Sequence, residues 1–326
     1  MTARRISVSL RAPERVMTGE KIRCTVAVRC SGWMAGCDVV CAVDGQNSLT
    51  GEVSDAEVPV LRTGTGMFEA ESSRCGQLLL RVRRIEARDW FGIARFVREP
   101  RAEVSALIVP DLYPVYVQAE TESGSCCRES GGSRRRAEDP EPGDLRPYLP
   151  GDDVRRIHWK LSEKTDRTLI LESVPEALDM AALMLETAFP DRNDPEAMHA
   201  AVQALLSVSH ALAEKGITHA VITEQNGGTV MTEVADSEDF LRGPEQVLTA
   251  ESIPGGISIG TLSRQTDGER RFRRAVIFSP HPYTDVSTPA ERQPVTLVLP
   301  AFVPFTGSGN GIRVIGMDPA DARIDI

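Results

Sequence analysis

Five apolar residues at alternate positions, Ile22, Cys24, Val26, Val28 and Cys30, are separated by Arg23, Thr25, Ala27 and Arg29. Such a run buries one face only as a β-strand, because successive strand side chains point to opposite sides. Ile6-Ser-Val-Ser-Leu10 supplies a partner, and further strands are expected at Asp38–Val43, Met67–Ser73, Gln77–Arg84 and Ile93–Val97. Asp44-Gly45, Thr63-Gly-Thr-Gly66 and Arg88-Asp89 read as the turns between them. Short strands at this spacing predict an antiparallel β-sandwich over residues 1–112.

From Arg167 onward the period changes. Thr168-Leu-Ile-Leu171 reads as a strand, Glu196–Lys215 as a long amphipathic helix stopped by Gly216, and His219-Ala-Val-Ile-Thr223 as a buried strand. Ala275–Ser279, Val295–Leu299 and Arg313–Met317 continue the series, so residues 168–326 are expected to form an α/β domain around a parallel sheet. Ala177–Phe189 is ambiguous: Leu178, Ala181, Ala182 and Leu185 fit a helical face, and the segment is rich in good helix formers. The segment between the two halves, 113–167, reads as a connector, and Ser123–Gly143 holds Gly, Ser, Pro and mixed charge with almost no apolar residue.

Composition narrows the function classes. A net charge of −10 over 326 residues argues against a general nucleic-acid binder, which needs an excess of Lys and Arg facing phosphates. Between Arg128 and Arg167 ten basic residues face nine acidic ones, a balance suited to ion pairing. Arg134-Arg135-Arg136 reads as a solvated loop, and Cys126-Cys127, without a second Cys pair or a His cluster, as free thiols. Seven cysteines, three of them in apolar strand patterns, fit a reducing compartment. No run of about 18 apolar residues exists to form a transmembrane helix.

The densest polar segment is Leu145–Ser162. Pro150-Gly151-Asp152-Asp153 specifies a tight turn, after which Val154, Ile157, Trp159 and Leu161 form an apolar thread between Arg155, Arg156, His158 and Lys160. The pattern Arg146-x-Tyr148-x-Pro150-Gly151-Asp152-x-x-Arg155-x-Ile157-x-Trp159 resembles the signature of a bacterial family named as domain of unknown function 58. Cys75–Val82 and Asp89-Trp90-Phe91-Gly92-Ile93-Ala94-Arg95-Phe96 are similar to the end of that family's β-domain, so the resemblance spans nearly the whole chain. It implies a β-domain preceded by two membrane helices and followed by a von Willebrand factor A-like domain. It further implies a MoxR-type AAA+ ATPase as partner, often with a transglutaminase-like membrane protein nearby, and a place on the cytoplasmic face of the inner membrane. On this resemblance the chain is expected to be the soluble part of such a protein, and Ala181–Glu186 to be the first central strand of its α/β domain.

Domains of the von Willebrand factor A type often hold a divalent cation through Asp-x-Ser-x-Ser after that strand. Here the matching stretch is Glu186-Thr187-Ala188-Phe189-Pro190: Glu replaces the Asp, and Ala188 and Pro190 stand at the Ser positions. The site near Glu186 and Thr187 is therefore expected to be degenerate, with no metal and no other cofactor. The five histidines are scattered, and Gly307-Ser-Gly-Asn-Gly311 lacks the Lys-Ser/Thr of a phosphate loop.

In the signature, Arg146 and Arg155 can fork onto Asp144, Asp152 or Asp153 to fix a domain junction, or the same cluster can form a docking face. The candidate docking residues are Arg146, Tyr148, Asp152, Arg155, His158 and Trp159. The expected function is a non-enzymatic binding or assembly module. Two alternatives stay open: a cell-envelope hydrolase using Asp152 or Asp153 with Arg146 and His158, and a metal-dependent adhesion module.

Overall fold

The computed structural model describes residues 6–30, 38–60, 64–89, 91, 93, 95–118, 145–147, 162, 168–171, 177–189, 194–225, 228–242, 244–254, 271–281, 295–304 and 312–325. By its contacts the chain divides into one compact unit of residues 1–119, 179–265 and 272–326, and another of residues 120–178 and 266–271.

In order, the chain first forms β1 (Ile6–Arg11), β2 (Arg15–Met17), β3 (Ile22–Cys30), β4 (Asp38–Asn47), β5 (Val53–Val60), β6 (Thr65–Ala70), β7 (Gly76–Arg88), β8 (Arg95–Arg98), β9 (Glu103–Val109) and β10 (Tyr116–Gln118). One sheet has the order β1-β3-β6; the other runs β2-β9-β7-β4-β5, with β8 also paired to β7. Alternation decides what lies between them. Ile22, Cys24, Val26 and Val28 of β3 are buried against Cys41, Val58, Leu80, Val82 and Ile85 of the facing sheet, in one apolar core. This part of the molecule is a β-sandwich.

Asp44-Gly45 is not the turn its composition suggests. Both residues lie inside β4, paired with Asp55 and Ser54 on one side and with Arg81 and Leu80 on the other. The glycine is there for space: a Cβ on Gly45 would stand 2.6 Å from Ser54 Oγ and 3.1 Å from Leu80 Cδ2. Just before it the register shifts between Ala42 and Val43, the mark of a bulge that re-aims the strand.

In the smaller unit β11 (Leu145–Pro147) pairs antiparallel with β12 (Leu169–Leu171), placing Arg146 opposite Ile170. The chain continues as β13 (Ala177–Leu185), β14 (Ala188–Phe189), α1 (Pro195–Glu214), β15 (His219–Gln225), β16 (Gly228–Val234), α2 (Ser237–Arg242), α3 (Pro244–Leu248), β17 (Ile253–Pro254), β18 (Arg271–Phe278), β19 (Val295–Pro300), β20 (Ile312–Met317) and β21 (Arg323–Asp325). A six-stranded sheet takes the order β16-β15-β13-β18-β19-β20. β15 runs parallel to β13, β19 to β18 and β20 to β19, while β16 returns antiparallel to β15.

The ambiguous segment is thus a strand. Ala181 to Leu185 are all buried, and a central strand covered on both faces shows no alternation, so its Ala, Leu and Met content reads as helical. The described part of the chain is mostly β, with α1 its long helix. Asp194 caps α1 by accepting from the N–H groups of Glu196 and Ala197, Pro195 follows in its first turn, and Gly216 at φ 66° ends it. Among the described residues no helix is long and apolar enough to cross a membrane.

The sandwich and the six-stranded sheet share a core within the larger unit. Leu49, Cys75, Leu107 and Val117 pack in one cluster with Met198, Leu205, Leu212, Val276 and Phe278. Polar contacts follow the same seam: Cys75 N–H donates to His199 Nδ1 at 3.1 Å, Tyr113 N–H to Ser207 Oγ at 3.2 Å, and Lys215 Nζ to the Val117 carbonyl at 2.6 Å. β10 also runs parallel to β21, tying residue 116 to residue 323.

Candidate functional site

The chain enters the six-stranded sheet at β13, moves to one side through β15 and β16, then crosses back to build β18, β19 and β20 on the other side. In open sheets of this kind the two connections leaving the reversal point splay apart and open a crevice beyond the strand ends. Here that point lies between β13 and β18. Their carboxyl ends meet side by side, with Glu186 N–H donating to the Phe278 carbonyl at 2.9 Å.

Four polar side chains follow directly: Glu186 and Thr187 after β13, and Ser279 and His281 after β18. All four are buried. Ser279 Oγ donates to Glu186 Oε2 at 2.5 Å and accepts from the His281 backbone N–H at 3.2 Å. Thr187 Oγ1 and His281 Nε2 have no hydrogen-bond partner among the described residues. Burial holds the His281 imidazole below its ordinary pKa, against the opposing effects of the Asp194 carboxylate and a hydrogen bond with the Ala188 backbone. Its ring lies 6.3 Å from that of Phe189, on the short parallel pair β14–β17.

Two orphaned buried polar atoms in one cluster are costly, each by about 1–3 kcal/mol. Such groups concentrate where function, and not stability, fixes the residue. The arrangement does not suit a Ser–His hydrolase. The serine hydroxyl spends its proton on a carboxylate, and the histidine offers it a backbone N–H in place of a ring nitrogen.

Nor do the described residues suit an octahedral divalent cation. Glu186 already accepts from Ser279, and the Asp194 carboxylate is committed to capping α1. Thr187 contributes the one orphaned side-chain oxygen of the cluster, and no group of three His, Cys, Asp or Glu converges among the described residues.

Of the sequence candidates, Glu186 and Thr187 fall in this cluster. Arg146 lies on β11, where its backbone pairs with Ile170. Tyr148, Asp152, Asp153, Arg155, His158 and Trp159 lie outside the described residues, as do Cys126-Cys127, Arg134–Arg136 and Gly307–Gly311. Ser279 and His281 are the site residues that sequence reading missed. The only signal for them is a hydroxyl residue and a histidine just past a buried apolar strand, and that acquires meaning once β18 is known to lie beside β13.

No protein-family profile matches the chain, and no curated protein matches it. Among solved structures it is similar to the CARDB domain of the PF1109 protein from Pyrococcus furiosus, determined in complex with di-metal ions. The identity is 14%, over 32% of this chain and 89% of that one, with a TM-score of 0.21. A likeness this slight carries no argument about fold or function.

Proposed function

We propose that the chain is a non-enzymatic binding and assembly module of the domain of unknown function 58 family. In this reading its second half is a von Willebrand factor A-like domain, and its ligand face is the sheet end around Glu186, Thr187, Ser279 and His281. The observation that carries the reading is the pair of orphaned atoms, Thr187 Oγ1 and His281 Nε2, beside the Ser279–Glu186 hydrogen bond at the reversal point of the sheet. The strand order supports it, with five strands reached in the sequence one side, then the other, and an antiparallel edge strand β16.

The partner in this proposal is a MoxR-type AAA+ ATPase, and the place is the cytoplasmic face of the inner membrane. Both rest on the resemblance of the Arg146–Trp159 signature. A cluster that binds and does not react needs polar groups with bonding capacity to spare: Thr187 holds a hydroxyl, and neutral His281 a ring nitrogen that accepts, both buried in the free chain.

Association of the purified chain with that ATPase, in its ATP- and ADP-bound states, tests the proposal. Binding in at least one state, weakened by Thr187→Val, is expected. No association in either state would sink it.

A further inference from the structure

Met17, Leu112 and Leu241 are large apolar side chains left exposed, and the fold gathers all three at the lip of one groove. Parallel pairing of β2 with β9 sets Arg15 beside Leu107 and Met17 beside Val109, so the four share one face of that sheet edge. Against this face lie Leu206 of α1 and Phe240 of α2, both buried, which with Leu107 floor a cavity of about 240 Å³. Leu241 departs from its neighbour on α2: Phe240 turns into the core, while Leu241 stands out at 70% exposure. Two charges complete the rim, where Arg15 Nη2 lies 3.2 Å from Glu245 Oε2. Both of these side chains are well exposed, so the pair is weak and re-pairing costs little.

A contiguous exposed apolar patch on a folded chain marks a contact surface. The makeup of this one identifies its occupant. It holds a hole with an apolar knob on the hole's own lip, and a cation with an anion beside it. A surface that carries each feature together with its complement fits a copy of itself across a two-fold axis, where every contact is made twice. A concavity gives a bilayer nothing to receive, and a polyanion would find the guanidinium of Arg15 already beside a carboxylate.

We propose that this groove is the two-fold interface of a homodimer. Leu241 of each copy enters the groove of the other, over Leu206 and Phe240, and Arg15 of each copy exchanges its own Glu245 for that of the other. The interface uses none of Glu186, Thr187, Ser279 or His281, and it stands whether or not that cluster binds the ATPase.

Sedimentation equilibrium tests it. The wild-type chain should pass from monomer to dimer between about 1 μM and about 300 μM. Leu241→Ser removes two knobs from each dimer and should weaken association about a hundredfold. Its melting curve, taken where both chains are monomeric, should match the wild type, because the side chain is exposed; that separates lost pairing from lost folding. Arg15→Glu and Glu245→Arg should each be monomeric alone, since like charges then meet across the axis. Mixed in equal amounts they should pair, since opposite charges then meet at both ends. A wild-type chain that stays monomeric over the whole range overturns the proposal, as does a dimer that survives Leu241→Ser. A mixture of the two charge variants no more associated than either alone overturns it as well. So does a monomeric wild-type chain whose groove takes up a naphthalene sulfonate dye that Leu241→Ser releases, which would assign the groove to a small apolar ligand.

Discussion

Ser279 Oγ donates to Glu186 Oε2 at 2.5 Å, joining the ends of two strands that lie 93 residues apart in sequence. A carboxylate with 3% exposure depends on such donors. Ser279→Ala should therefore destabilise the fold by ~1–3 kcal/mol. In a double-mutant cycle with Glu186→Gln, denaturant unfolding should show strong coupling between the two positions. Additive losses would mean that the pair does not hold the strand ends together.

Acidification should loosen the molecule. His199, His219 and His281 all have pKa values below the ordinary 6.5, each chiefly because burial disfavours the imidazolium. The unfolded chain thus takes up protons that the folded chain resists. The stability these residues contribute is fully present above 6.5 and is lost as pH falls from there through the lower folded values. His219 also holds Ser209 Oγ at 2.7 Å through Nε2, so its neutral form is part of the core. Thermal melts should fall between about pH 7 and about pH 5, and His219→Gln should flatten that part of the profile.

The shared core predicts that sandwich and sheet open together. Cys24 lies in the sandwich core and Cys75 in the cluster around α1; burial pushes their thiols up to about 11 and about 12. Alkylation by iodoacetamide, read by mass spectrometry site by site, should label both only on global unfolding, with one common denaturant dependence. Separate dependences would show two independently unfolding bodies.

Gly76 has φ 127°, and a Cβ there would stand 2.5 Å from Asn47 Oδ1, which accepts from the N–H groups of Leu49 and Thr50. Gly76→Ala should cost roughly 2–4 kcal/mol in an unfolding titration, since both backbone strain and a displaced buried amide oppose it. A cost no larger than that of an ordinary surface substitution would contradict this packing.

The sandwich strands were legible because each buries one face, so residues such as Ile22 to Val28 carry their own alternation. Asp44-Gly45 misled because turn chemistry and close packing call for the same glycine, and only the approach of Ser54 and Leu80 tells them apart. Ala181–Leu185 stayed ambiguous for the opposite reason: buried on both faces, it keeps no period, and its reading as a strand came from the family resemblance. Half of the candidate site was legible, Glu186 and Thr187, since they follow a recognisable strand. Ser279 and His281 were not, because what makes them neighbours of Glu186 is strand order, which no local pattern encodes.

The central claim is that the buried cluster at the sheet reversal is kept for binding. Thr187→Val tests it most directly, because it removes an orphaned hydroxyl at nearly constant shape. Affinity for the MoxR-type ATPase and the unfolding free energy should be measured on the same preparation. If Thr187 serves binding, the variant should be more stable by about 1 kcal/mol yet bind roughly tenfold or more weakly. A variant that loses stability and binds as tightly as the wild type would show that the hydroxyl is structural and contradict the claim.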